Sequence, residues 1–111
     1  MSSLPSKRRL MNWGQFPARW GRSYEFHSEY DLDNAWVQLE DGFVARGMGR
    51  CYGDGSLAPK VLSTIHYSHI LNLDEAKGIV IAESGITLSR LLNVLIPKGL
   101  FLPVTPGTSY I

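Results

Sequence analysis

Apolar residues in this chain fall in short bursts broken by glycine, proline and turn-forming polar residues, so the pattern predicts brief elements. Leu88, Leu91, Leu92, Leu95 and Ile96 follow the i, i+3, i+4, i+7, i+8 spacing of one helical face; Thr87 stands at the capping position, and Pro97 with Gly99 beyond it ends the helix. A shorter amphipathic helix is predicted over Tyr30–Leu39, with apolar residues at 32, 35, 36 and 39, Asp31 or Asp33 as its cap and Asp41-Gly42 as its stop. Phe43-Val44-Ala45 reads as a brief strand, and so do the runs within 60–65 and 78–82. Between those two runs, Asn72 to Gly78 has turn chemistry and Ile70-Leu71 adds strand, and so short a connection predicts antiparallel pairing. Leu100-Phe101-Leu102 begins another extended segment, followed by a turn-rich stretch over 103–108.

Residues 1–23 carry Pro5, Gly14, Pro17 and Gly21 too closely spaced for a helix or a long strand. They read as an irregular arm whose Trp13, Phe16 and Trp20 pack across a neighbouring surface. Behind the arm, residues 24–111 form one α+β domain of short strands with two helices. A final Ser-Tyr-Ile directly after the second turn reads as an interrupted strand, which suggests a fragment.

Composition narrows the class. The 111 residues allow one domain, with 44% hydrophobic and 19% charged residues, the profile of an ordinary globular chain. A net charge of +1 makes no electrostatic case for nucleic acid. Lys7-Arg8-Arg9 reads as a solvated tail. The single cysteine, Cys51, forms no internal disulfide and fits a reducing compartment, no apolar run is long enough for a transmembrane segment, and the default address is cytoplasmic.

Candidate chemistry concentrates in Ala45, Arg46, Gly47, Met48, Gly49, Arg50, Cys51, Tyr52, Gly53, Asp54 and Gly55, entered from the strand at 43–45. Glycines let backbone approach a ligand closely, and successive inward N–H groups make an anion cradle. The arginines add fork-shaped donors suited to pyrophosphate, and Tyr52 a ring and a hydroxyl. The spacing is neither a dinucleotide fingerprint, because Tyr52 stands where a third glycine is required, nor a Walker loop, which needs Gly-Lys-Ser/Thr. On spacing alone, a glycine-rich turn without ligand stays open beside the anion site. Asp54 reads as structural and Cys51 as a small buried residue. His27, His66 and His69 are scattered surface or packing histidines without metal spacing, and Glu83 has no carboxylate partner for acid–base work.

The order of Ala-Arg-Gly-Met-Gly-Arg-Cys-Tyr-Gly-Asp, a strand, an antiparallel return, Ser-Gly-Ile-Thr-Leu-Ser-Arg-Leu-Leu, Pro-Lys-Gly-Leu-Phe-Leu-Pro-Val and Pro-Gly-Thr resembles the FAD-linked oxidases with a PCMH-type FAD-binding domain, the vanillyl-alcohol oxidase superfamily. Within it the likeness is greatest to the decaprenylphosphoryl-β-D-ribose 2′-oxidase group and to related sugar or aldonolactone oxidases. The resemblance spans roughly residues 12–111. It implies that 45–55 wraps the FAD pyrophosphate through backbone N–H groups of Gly47 to Cys51, with a second FAD contact at Pro106, Gly107 and Thr108. Several members carry, where this chain has Arg50, a histidine bonded covalently to the flavin; Arg50 implies noncovalent FAD. The first helix is shorter here than members usually keep it.

The resemblance further implies hydride transfer from a CH–OH carbon of a sugar or polyprenyl-phosphate-sugar substrate to flavin N5. It leaves room for a reductase partner and for peripheral attachment at the inner membrane face. The catalytic base is expected in a later cap domain, so no catalytic residue is assigned here. An inactive truncated chain, or an interaction module using an exposed strand edge, is the alternative.

Overall fold

A computed structural model describes residues 5–108, 110 and 111. Strands β1 (Ser6–Met11) and β2 (Ala18–Glu25) form an antiparallel hairpin, registered from Ser6 opposite Ser23 to Met11 opposite Ala18. Helix α1 (Glu29–Trp36) and a 3₁₀ turn (Val37–Leu39) lead to β3 (Val44–Arg46) and β4 (Lys60–Ser63). β4 lies between β2 and β3 and runs parallel to both, giving the order β1-β2-β4-β3. β5 (Ile70–Asp74) and β6 (Ile79–Ala82) make a separate antiparallel pair, followed by α2 (Leu88–Leu95) and a 3₁₀ turn (Ile96–Lys98). The mixed α+β class expected from the pattern is the one observed. Among the described residues no helix is long and apolar enough to cross a membrane.

A strand with parallel neighbours on both sides is apolar on both faces, and successive side chains of β4 serve two clusters. Val61 is wholly buried with Leu10 and Leu57, whereas Leu62 packs with Tyr24, Phe26, Ala35 and Leu39 beneath α1. Of the predicted helical positions in the first helix, Ala35 and Leu39 are the ones fully buried.

α2 follows the sequence closely. Thr87 Oγ1 accepts from the Arg90 N–H at 3.2 Å, and Gly99 closes the following turn at φ +73°. The cap of α1 is Ser28, not Asp31 or Asp33: Ser28 Oγ accepts from the Asp31 N–H, while the Asp31 carboxylate is buried and accepts from the His27 N–H. Ser28 wins because its short hydroxyl sits one residue ahead of the helix, at the geometry an N-cap needs.

The irregular arm is a correction. Its described part, from Pro5 onward, is largely the β1–β2 hairpin, because Gly14 and Pro17 fall in the connection and Pro5 ahead of it. Gly21 sits inside β2, where a Cβ would come within 2.6 Å of the Ala58 carbonyl; the glycine marks a close backbone approach instead of a break. Trp13, Phe16 and Trp20 stay exposed, not packed across a neighbouring surface. Lys7, Arg8 and Arg9 belong to β1, with Lys7 over the Trp20 ring and Arg8 paired with Glu25.

Two further expectations change. The first half of the predicted turn is strand: β5 continues to Asp74, and it pairs antiparallel with the run at 79–82 as the short connection predicts. Leu100-Phe101-Leu102 forms no strand. Of the final Ser-Tyr-Ile, Ser109 lies outside the described residues.

Candidate functional site

β3 and β4 are parallel neighbours, so the chain must return from Arg46 at the end of one to Lys60 at the start of the other. Such a crossover is usually a helix. Here residues 47–59 make it without one, with Gly49 at φ +67° and Gly53 at φ +58°. Without helix or ladder, the backbone polar groups of this stretch need other partners.

Arg46 supplies part of the answer from beneath the loop. Its Nη1 donates to Asn12 Oδ1 at 2.7 Å, to Ser56 Oγ at 3.1 Å and to the Ser56 carbonyl at 3.2 Å, while Nη2 donates to the Met11 carbonyl at 2.7 Å. Desolvation draws its pKa below the ordinary arginine value, with Cys51 acting in the opposite direction. The side chain expected to hold phosphate is instead a brace. Gly49 rides directly over it, and a Cβ at Gly49 would strike the guanidinium.

The outer side of the loop is different. Among the described residues, the N–H groups of Gly47, Met48, Gly49, Arg50 and Cys51 donate to no acceptor. The loop is mostly exposed, which leaves these unbonded donors within reach of solvent or a ligand. Arg50 is exposed and 5.9 Å from the Tyr110 ring centroid, free of the brace that occupies Arg46. Arg50 and Tyr52 line a cavity of about 190 Å³ with Trp13, Thr108, Tyr110 and Ile111. Glycine loop and Pro-Gly-Thr turn, separated in sequence, therefore meet at Thr108. Pro106, Gly107 and Thr108 also border a shallower recess with Leu88, Leu92 and Phe101. The cavity is smaller than the roughly 300–1,000 Å³ that encloses a drug-sized ligand.

Other expected residues fall elsewhere. Ala45 is within β3, opposite Leu62. Gly53 offers its carbonyl to Asn12 Nδ2, and the Gly55 N–H bonds the Tyr52 carbonyl at 3.3 Å. Asp54 contributes its carbonyl to Leu57 N–H. Cys51 is exposed, not buried, because the loop crosses the surface, with Sγ 3.0 Å from Ser56 Oγ. His66 pairs with Glu25 and stacks on His27, and His69 pairs with Glu83. Asn12, Trp13 and Ser56 were not anticipated; their contacts with the loop bridge up to 44 residues for Ser56 to Asn12, and no local spacing announces them.

The family described as FAD binding domain matches residues 26–111. The chain belongs to that family. Its resemblance to FAD-linked oxidases is thereby borne out at the level of the FAD-binding domain. A curated relative, the decaprenylphosphoryl-beta-D-ribose oxidase of Mycolicibacterium smegmatis, is 33% identical over 107 residues, covering 91% of this chain. The chain spans 23% of that relative's length. Unbonded backbone donors in a glycine-rich loop suit a pyrophosphate, so the donor set of this FAD-binding domain fits the cofactor its family implies.

Proposed function

We propose that this FAD-binding domain holds FAD noncovalently, its pyrophosphate on the N–H groups of Gly47 to Cys51, and serves as the cofactor half of an oxidoreductase acting on a CH–OH group of a sugar or lipid-linked sugar. The row of unbonded N–H donors beside Arg50 carries the reading. Arg50 adds a loop guanidinium that makes no hydrogen bond among the described residues, and Thr108 lines the cavity from the second turn. Trp13 and Tyr52, edge to face at 5.6 Å, offer two exposed rings along one side of the cavity. Noncovalent attachment follows from chemistry: position 50 offers a guanidinium, which stays protonated, and not an imidazole nitrogen. Bound FAD would supply hydride acceptance at flavin N5. The sugar-type substrate rests on the named activity of the mycobacterial relative.

Titrating the 111-residue chain with FAD, followed by flavin fluorescence, tests the reading. Saturable binding, with all flavin released on acid precipitation, is the expected result. Folded protein that leaves FAD fluorescence unchanged would overturn it, and flavin retained in the precipitate would overturn the noncovalent attachment.

A further inference from the structure

The FAD-binding match begins at residue 26, leaving the β1–β2 hairpin outside it. Yet the tip of that hairpin is the part of the protein most tightly bonded to the glycine loop. Asn12 is 4% exposed and uses both ends of its amide: Oδ1 accepts from Arg46 Nη1 at 2.7 Å and from Ser56 Oγ at 3.3 Å, and Nδ2 donates to the Gly53 carbonyl at 2.9 Å. On either side of it, the Met11 carbonyl takes Arg46 Nη2, and the Trp13 N–H donates to the Cys51 carbonyl at 3.2 Å. Three consecutive residues thus grip the start, middle and end of the loop at Arg46, Cys51 and Gly53, and Ser56.

We propose that the β1–β2 hairpin is part of the cofactor site, with Asn12 as a positioning residue that anchors the entry and exit of the loop and so presets the backbone of Gly47 to Cys51 between them before a ligand arrives. The proposal rests on the FAD reading above. Its physical basis is direction. Each peptide unit carries the C=O of one residue and the N–H of the next on opposite sides, so pinning the Cys51 and Gly53 carbonyls turns the Tyr52 and Asp54 N–H groups away from the hairpin and fixes the exit of the loop, while the bonds of Arg46 to Asn12 and Met11 fix its entry. A loop already held this way loses less conformational entropy on binding than one that must be ordered by the ligand. Arg46 alone cannot set this geometry, because it reaches neither the Cys51 nor the Gly53 carbonyl, whereas Asn12 and Trp13 reach both. Asn12 also orients the Arg46 fork itself, accepting one of its shortest bonds.

The experiment compares wild type, Asn12→Ala, Asn12→Asp and a remote control, Ala35→Gly in α1, each as the 111-residue chain. FAD affinity is measured well below the melting temperatures, and ¹⁵N order parameters of the 47–51 amides are measured without FAD. Asn12→Ala is expected to bind FAD about tenfold more weakly, equivalent to ~1.4 kcal/mol. Its loop order parameters should fall from about 0.85 toward 0.6. Asn12→Asp keeps the acceptor for Arg46 and Ser56 but loses the donor to Gly53, and should recover about half of the loss on a logarithmic scale. Ala35→Gly should lower stability while leaving affinity and order parameters unchanged. Unaltered order parameters in Asn12→Ala, or an equal loss of affinity in Ala35→Gly, would overturn the proposal. If wild type itself binds no FAD, the cofactor reading falls, and the order parameters still decide whether Asn12 holds the loop.

Discussion

Replacing Arg46 distinguishes a brace from a phosphate ligand. Its guanidinium bonds Asn12, both acceptors of Ser56 and the Met11 carbonyl, all of them neutral. A lysine keeps the charge but not the planar fork, and a single ammonium cannot span Ser56 and the Met11 carbonyl together. Two of the bonds would be lost, and at ~1 kcal/mol each, discounted because the side chain is half-buried, Arg46→Lys should cost ~2 kcal/mol. Arg46→Ala removes all four bonds, leaving the buried Asn12 amide oxygen only the longer bond from Ser56 Oγ, and should cost ~3 kcal/mol. For a domain of this size that is a fall in Tm of roughly 8–16 °C for lysine and 12–24 °C for alanine. Circular dichroism melts without FAD read the effect. Because the partners carry no charge, the fall should persist from about 0.05 to 0.5 M salt, where a surface ion pair would be screened. An unchanged Tm for both variants, joined to a large loss of FAD affinity, would refute the brace and return Arg46 to the phosphate.

Gly49→Ala combines a left-handed backbone at φ +67° with a Cβ driven into that guanidinium, and should cost ~2–3 kcal/mol in a chemical denaturation series. Gly14→Ala, with open space around the new methyl group, should be nearly neutral in the same series. Thr87→Ala removes the cap of α2 and should cost ~1 kcal/mol, read as a Tm fall of roughly 4–8 °C. Desolvation pushes Glu83 up, but its bonds from the His69 N–H and ring and from Tyr67 outweigh this, so its pKa lies below the usual 4.5. A carboxyl lowered on folding adds stability above its unfolded pKa and loses it as pH falls through the folded value. Below pH 4.5 the Tm of wild type should therefore drop more steeply than that of Glu83→Gln, and parallel curves would refute the pairing.

What could be read without the fold depended on neighbours close in sequence. Thr87, the leucines at 88, 91, 92 and 95, Pro97 and Gly99 specify a helix with its cap and stop, because the capping bond, the helical ladder and the closing turn are made between near neighbours in sequence. The glycine-rich stretch was legible as a loop for a related reason: the glycines at 49 and 53 permit the positive φ that its turns need without any distant partner. The order of that loop with Pro106-Gly107-Thr108 pointed to the FAD-binding family, and the match over 26–111 bears this out.

The chain alone determined two helices, the strand-to-loop exit at Arg46, and a glycine-rich loop after it. Tertiary structure decided which arginine is free to meet a ligand. Arg46 and Arg50 are indistinguishable by residue type and flank the same glycines, but the Arg46 side chain reaches Asn12, 34 residues earlier, while Arg50 stays exposed beside Tyr110 and the cavity. It also turned the proline- and glycine-rich arm into a hairpin and brought Thr108 to the glycine loop. The physical reason is common to all three. A buried donor or acceptor is settled by whichever partner the fold brings within about 3 Å, and that partner leaves no trace in local spacing.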